Sequence, residues 1–226
     1  MFPKDLNVSR LRFKISMSLD GFVAGPNQSV ENPLGVGGMR LHEWAFELAI
    51  FRDQHKMAGG EVNESTAVVE ELVANIGATV MGRNMFGGHP GPWDPRNPWN
   101  GWWGVNPPFH HPVFVLTRYK REPLELEGGT TFTFVTNGIE AALEQARRAA
   151  GGKDVSLAGG AKAAQQYLAA NLVDEMEISL VPTLLGSGER LFDGVGDDLH
   201  RLQLVRTVAA PNVTHLKFTK RAEFSP

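Results

Sequence analysis

Three short apolar runs in this chain stop at residues suited to holding phosphate. Val80-Met81 is followed by Gly82-Arg83-Asn84, Val115-Leu116 by Thr117-Arg118, and Ser156-Leu157-Ala158 by Gly159-Gly160-Ala161. In an open α/β sheet, ligands bind outside the carboxyl ends of the strands. Glycine at such an end lets a diphosphate approach backbone amides where a helix begins and its dipole favours an anion. Arginine adds a planar, permanently charged fork that matches phosphate oxygens. Taken singly, a Gly-Gly pair is a turn and an arginine a solvated charge. Three such ends, two of them with arginine, point to a phosphate-rich cofactor carrying an extra anionic group.

Other chemistries find less support. There is no G-x-G-x-x-G, no G-x-x-x-x-G-K-[ST] and no G-x-S-x-G, so an orthodox Rossmann site, a P-loop and a hydrolase elbow are not expected. His42-Glu43 opens like a zinc-binding H-E-x-x-H, but Phe46 holds the second histidine position. His110 and His111 are adjacent, so in an extended chain their side chains diverge. No metal is expected. With no cysteine, disulfides, thiolate metal sites and cysteine nucleophiles are excluded. Asp20 precedes Gly21 at a strand end, where it either orients a substrate or holds the turn.

The elements that must position these residues follow from periodicity. Residues 12–19 read as a strand ending at the Asp20-Gly21 turn, and a glycine- and proline-rich loop spans 25–40. Helical spacing appears over 42–57, with Trp44, Leu48 and Phe51 on one side. It recurs over 65–76, with Gly77 as the stop. Short buried strands are expected at 78–81, 113–116, 131–135 and 155–158. Asn137 is placed as the cap of a helix with Glu140 in its first turn, closed by Gly151-Gly152. A second helix covers 161–170. Residues 175–181 alternate, Met176, Ile178 and Leu180 against Glu175, Glu177 and Ser179. Two more strands fall near 202–208 and 213–219. Strands alternating with helices imply a mostly parallel central sheet flanked by helices, and the strand-rich C-terminus implies an antiparallel edge. No linker divides the chain, so residues 1–226 are expected to form one α/β domain with its core at about 11–219.

The segment 88–112 stands apart, with seven of the 14 prolines and four of the five tryptophans. It reads either as a surface loop whose tryptophans cover an edge of the core, or as an aromatic wall for a planar ligand or a dimer contact.

Composition narrows the partners. Net charge is 22 − 25 = −3, which gives no pull toward nucleic acid or an anionic membrane. No run approaches the ~18 apolar residues of a membrane span, and the first ten residues lack the apolar core of a signal peptide. A cytoplasmic protein acting on a small molecule is expected.

The ordered set Ser18-Leu19-Asp20-Gly21-Phe22-Val23-Ala24, Met81-Gly82-Arg83, Leu116-Thr117-Arg118, Ala158-Gly159-Gly160 and Pro182-Thr183-Leu184-Leu185-Gly186 resembles a known family. It is the C-terminal reductase domain of the riboflavin-pathway bifunctional deaminase-reductase, with its stand-alone dihydrofolate reductase-like relatives. The resemblance spans about residues 11–219. It implies a dihydrofolate reductase-like fold, NADPH as cofactor, and hydride transfer to a small heterocycle, imine or carbonyl of pterin, folate or aminopyrimidine type.

By that resemblance Gly82, Arg83 and Asn84 meet the cofactor phosphates. Thr117 and Arg118 meet the adenosine 2′-phosphate, and Gly159, Gly160 and Ala161 cradle the diphosphate. Val23 and Ala24 flank the nicotinamide, Asp20 is the candidate catalytic residue, and Trp44 and Leu184 lie toward the substrate. A homodimer is implied. The family's glutamate before the Gly-Gly pair is Ala158 here. Absence of cysteine rules out the paired-cysteine zinc site of the deaminase. The alternatives are a non-catalytic nucleotide-, flavin- or pterin-binding protein on the same fold, and an oligomeric scaffold built on the tryptophan-rich segment.

Overall fold

The structure is a computed structural model, and it describes residues 9–196 and 201–221. Its strands are β1 (Leu11–Ser18), β2 (Phe22–Ala24), β3 (Ile76–Gly82), β4 (Pro112–Leu116), β5 (Leu124–Glu125), β6 (Thr131–Val135), β7 (Asp154–Gly159), β8 (Glu175–Val181), β9 (Glu189–Arg190), β10 (Leu202–Ala210) and β11 (Val213–Lys220). Its helices are α1 (Glu43–Phe46), α2 (Ala49–Gln54), α3 (Glu64–Val73), α4 (Arg83–Phe86), α5 (Ile139–Ala149) and α6 (Ala161–Ala169).

Nine strands form one sheet in the order β10-β11-β8-β1-β7-β3-β4-β6-β5, and β2 pairs with β9 apart from it. The central strands, from β8 to β6, run parallel. The expected antiparallel edge is made by β11 and β10. The opposite edge is antiparallel too, because Leu124 and Glu125 fold back on β6.

The main core lies where α5 and α6 cover the sheet. Leu11, Phe13, Val80, Val155 and Leu157 meet Leu143, Ala146, Ala164 and Tyr167 there. Small alanines on α5 and α6 let the helices sit close to the strands. Tyr167 is fully buried and donates its hydroxyl to the Ile139 carbonyl at 2.8 Å, which supplies the partner a buried phenol needs.

The other face of the sheet departs from a simple polar-out alternation. Glu175, Glu177 and Ser179 are as buried as Met176 and Ile178. Arg12 Nε donates to Glu175 at 3.0 Å, and Arg206 reaches Glu177 at 3.2 Å. Glu71 of α3 pairs with Arg206 and Lys217. Burying these carboxylates is affordable only because each meets a cation.

Three local expectations are corrected. The helical period over 42–57 breaks at the buried Leu48, whose ψ of 136° is extended. Its backbone bridges to Glu61 instead, so two short helices replace one. The helix expected to run to Ile76 stops at Val73, and Ile76 opens β3. The stop is Asn75, at φ 58°, not Gly77. Gly77 lies in the strand, where a Cβ would stand 2.4 Å from the Ala150 carbonyl oxygen. Finally, Asn137 does not cap α5. The N-cap is Gly138, at φ 91°, without a side-chain bond. Among the described residues no helix is long and apolar enough to cross a membrane.

Candidate functional site

Strands β7, β3 and β4 are neighbours, so their carboxyl ends come together. Met81 stands level with Gly159, and Gly82 with Leu116. The first two candidate segments, Gly82-Arg83-Asn84 and Gly159-Gly160-Ala161, each lead directly into a helix, α4 and α6. The third, Thr117-Arg118, leaves β4 in a turn in which Tyr119 N donates to Thr117 Oγ1 at 3.2 Å.

Gly82 and Gly159 are needed where they stand, the first for packing and the second for its backbone. A Cβ on Gly82 would lie 3.2 Å from Ala163 Cβ, 3.5 Å from Gly159 O and 3.6 Å from Gly160 N. That is how tightly β3 packs against the start of α6. Gly159 takes φ 104°, a region L side chains avoid. A Cβ on Gly159 or Gly160 meets nothing within 4 Å, so this backbone faces open space. The Gly159–Gly160 peptide is cis.

The arginines at these ends carry no carboxylate. Arg83 donates to the His89 carbonyl at 3.0 Å, its Cζ lies 3.8 Å from the Trp93 ring centre, and its buried Nε has no partner among the described residues. Burial, and then the charge of Arg121, pulls its pKa down to about 10. Arg121 lies over Trp93 and Phe134 at 4.9 Å and donates to Trp99 O and Asn100 Oδ1. Arg118 is exposed. Among the described residues none of the three forms an ion pair, whereas Arg10, Arg12, Arg147 and Arg206 each do.

Beside this row opens a cleft of about 390 Å³, lined by Gly25, Pro26, Asn27, Gln28, Asn84, Gly188 and Glu189. Only Asn84 of these was legible as a site residue. The others come from the glycine-rich first loop and from β9, which the register Phe22–Arg190 and Ala24–Glu189 brings against β2. Val23 and Ala24, the residues expected to flank a nicotinamide, form the buried part of β2 beside that loop.

Asp20 is fully engaged. Oδ1 accepts from Ser18 Oγ at 2.6 Å and from Leu185 N at 3.2 Å, and Oδ2 accepts from Gly186 N at 2.7 Å. The Ser18 bond, helped by the two amides, holds its pKa at about 2. At neutral pH Asp20 is a carboxylate that ties the β1–β2 turn to the 182–186 segment. It has no proton to give.

Trp44 is held by partners within the fold, whereas Leu184 faces solvent. Trp44 Nε1 donates to Leu41 O at 3.0 Å and Ser16 Oγ at 3.3 Å, and its ring meets His215 edge-on at 5.0 Å. Leu184 is 63% exposed.

Two groups escaped sequence reading. His215 is fully buried between Ser65 Oγ at 2.8 Å and Ser179 Oγ at 3.0 Å. The Lys14 ammonium on β1 makes no ion pair or hydrogen bond among the described residues, and burial followed by the Arg12 charge lowers its pKa. Both sit on the polar face of alternating strands, where a charged residue looks solvated until the covering helix is known.

The tryptophans of 88–112 cover an edge of the core. Trp93, Trp99 and Trp103 pack on the cluster of Met81, Phe86, Val113 and Phe132. Trp99 and Trp102 donate their indole N–H groups to the Phe86 and Met85 carbonyls at the end of α4. Ala158 faces the same apolar cluster.

Comparison with known proteins agrees with this geometry. Among solved structures, a protein from Shewanella sp. PV-4 whose name assigns it to riboflavin biosynthesis aligns over 94% of this chain and 99% of its own, at 20% identity and TM-score 0.59. RibD from Acinetobacter baumannii aligns over 95% of this chain at 19% identity and TM-score 0.56. The Thermotoga maritima diaminohydroxyphosphoribosylaminopyrimidine deaminase/5-amino-6-(5-phosphoribosylamino)uracil reductase does so at 12% identity and TM-score 0.55. This chain spans 58% and 57% of those last two. No curated protein matches. At such identities the structures establish a shared fold. The sequence model of the RibD C-terminal domain, however, matches residues 10–216. That match takes in β1, the glycine and arginine strand ends and the first half of β11, so the chain belongs to the RibD C-terminal domain family.

Proposed function

We propose that this protein is an NADPH-dependent reductase acting on a small heterocycle, imine or carbonyl of pterin, folate or aminopyrimidine type. One observation carries the reading. Three strand ends in a single row bring open glycine backbone at Gly159-Gly160 beside Arg83 and Arg118, which pair with no carboxylate among the described residues. The reductase named among the structural neighbours points to the same chemistry.

The residues present fit the cofactor. Gly159, Gly160 and Ala161 would cradle its diphosphate at the start of α6, and Gly82, Arg83 and Asn84 would meet its phosphates. Thr117 and Arg118 would take the 2′-phosphate, and Val23 and Ala24 would back the nicotinamide. NADPH when bound supplies the hydride. The chain's own work is to hold, orient and exclude water. Asp20 serves by fixing the 182–186 segment. With its proton absent at neutral pH, protonation of the product falls to water or to the substrate itself.

Ligand-dependent stability tests this. At 100 times Kd, NADPH should add about 2.7 kcal/mol, raising the unfolding temperature by roughly 5–10 °C. NADH at equal concentration should add much less, and Arg118→Ala should narrow the gap. Equal stabilisation by the two, or none, overturns the reading. Ala158, apolar where the resemblance expects a glutamate, favours one second reading, a binding protein on the same scaffold. That reading requires NADPH binding without oxidation of NADPH on any pteridine, pyrimidine or carbonyl substrate. We place the enzyme in the cytoplasm as a homodimer, and light scattering at micromolar concentration checks the dimer.

A further inference from the structure

The tryptophan-rich segment does more than seal a core edge, and Trp93 shows how. Its indole lies against two guanidinium groups, Arg83 at 3.8 Å and Arg121 at 4.9 Å. Its N–H donates to Tyr119 O at 2.9 Å, and Tyr119 N in turn holds Thr117 Oγ1. Trp93 therefore joins the end of β3 to the turn after β4. A cation over an indole face is held there by attraction to the ring quadrupole. Arg83 donates to the His89 carbonyl and, among the described residues, is left with a buried Nε without a partner and no carboxylate competitor. Two like charges about one ring repel unless an anion joins them. What this arrangement lacks is a doubly charged group with several acceptor oxygens.

We propose that Trp93 is a specificity-determining positioning residue that holds Arg83 and the Thr117–Arg121 turn together as a receptor for a phosphate monoester, so that preference for the 2′-phosphorylated cofactor runs through the tryptophan-rich segment. The inference rests on the NADPH reading and adds to it a residue outside the strand-end motifs. Trp103 is the natural control. It packs on Phe109 and Phe132 at ring distances of 4.9 and 5.9 Å and touches neither guanidinium.

The experiment compares adenosine 2′,5′-bisphosphate with adenosine 5′-monophosphate by calorimetry, using the full chain. In Trp93→Leu the affinity ratio between the two should fall roughly tenfold, the worth of one well-placed charged contact, with adenosine 5′-monophosphate little changed. Trp103→Leu should lower the unfolding temperature and leave the ratio alone. An unchanged ratio in folded Trp93→Leu overturns the proposal. A second measurement needs no variant fold at position 93. The Arg83 Nε–H resonance, assigned by its loss in Arg83→Lys, should be shifted upfield by the indole ring current. It should move on adding adenosine 2′,5′-bisphosphate and stay on adding adenosine 5′-monophosphate. A resonance that ignores the bound bisphosphate also overturns the proposal. If the wild type binds neither NADPH nor the bisphosphate, the cofactor reading itself falls. If it binds both and the ratio survives Trp93→Leu, only the role of Trp93 does.

Discussion

His215 shows how much one buried side chain can decide. Burial, then the charge of Arg206, lowers its pKa to about 4, while an unfolded histidine titrates near 6.5. Between those values the unfolded chain binds the extra proton, so stability falls as pH drops from about 6.5 toward 4 and is insensitive to His215 above that window. The loss integrates to about 3 kcal/mol at most. Urea midpoints measured from pH 7 to 5, above the range of most carboxylates, should therefore decline. His215→Gln, which cannot titrate, should flatten that decline; an identical slope in the variant would rule out His215 as its source. Asp20 behaves in the opposite sense. Its folded pKa of about 2 lies below the unfolded value near 3.9, so its contribution is present above that value and fades as pH falls toward 2. Asp20→Asn removes the carboxylate that Leu185 N and Gly186 N point at. Faster amide hydrogen exchange at Leu185 and Gly186 is the expected outcome.

Among the elements, α3 depends most on a single side chain from elsewhere. Arg12 Nη1 and Nη2 donate to the Ala74 and Glu71 carbonyls at 2.9 and 2.8 Å, while Nε holds Glu175. One guanidinium thus closes the C-terminal end of α3 and neutralises a carboxylate in β8. Arg12→Met should cost about 3–5 kcal/mol, because it leaves Glu175 buried without its nearest cation. A loss under 1 kcal/mol in denaturant unfolding would mean that Arg10 and Lys217, the other partners of Glu175, suffice. The same contact explains what was legible in the sequence. Apolar runs such as Val80-Met81 and Val113 to Leu116 have one physical explanation, burial on both faces, and they mark β3 and β4. Glu175, Glu177 and Ser179 alternate as an exposed face would, and no local signal tells that Arg12, Arg206 and Lys217 neutralise the two carboxylates while Ser65 of α3 and Ser179 enclose His215. Helix ends were legible where glycine did the work, at Gly151-Gly152, and illegible where Asn75 or an extended Leu48 did. The strand-end glycines and arginines could be named from sequence. The cleft at Gly25–Gln28 and Gly188-Glu189 could not, since it depends on a β2–β9 pairing across more than 160 residues.

At the scale of the molecule, charge is sorted along the parallel strands. At their amino ends Arg10 and Arg12 meet Asp154 and Glu175, with Arg147 on Asp174. At the carboxyl ends of β3 and β4, Arg83, Arg118 and Arg121 meet, among the described residues, only carbonyls, an amide oxygen, rings or solvent. A net charge of −3 conceals this polarity. Affinity for NADPH should accordingly fall as salt is raised from 50 mM to 500 mM, since partly exposed charges are screened within a Debye length that shrinks below about 10 Å above 0.1 M. Calorimetric titration across that range reads it, and a flat response would place the phosphates away from these arginines.

The sheet order has a consequence in time. Strand β1 precedes in the chain both strands it sits between, β7 and β8, so on a ribosome its first partner, Val155, follows Leu11 by more than 140 residues. At about 5–20 residues per second, a nascent β1 spends roughly 7–30 seconds with both edges bare. Those seconds, more than any property of the finished sheet, are when this chain is most exposed to self-association and most in need of a chaperone's cover.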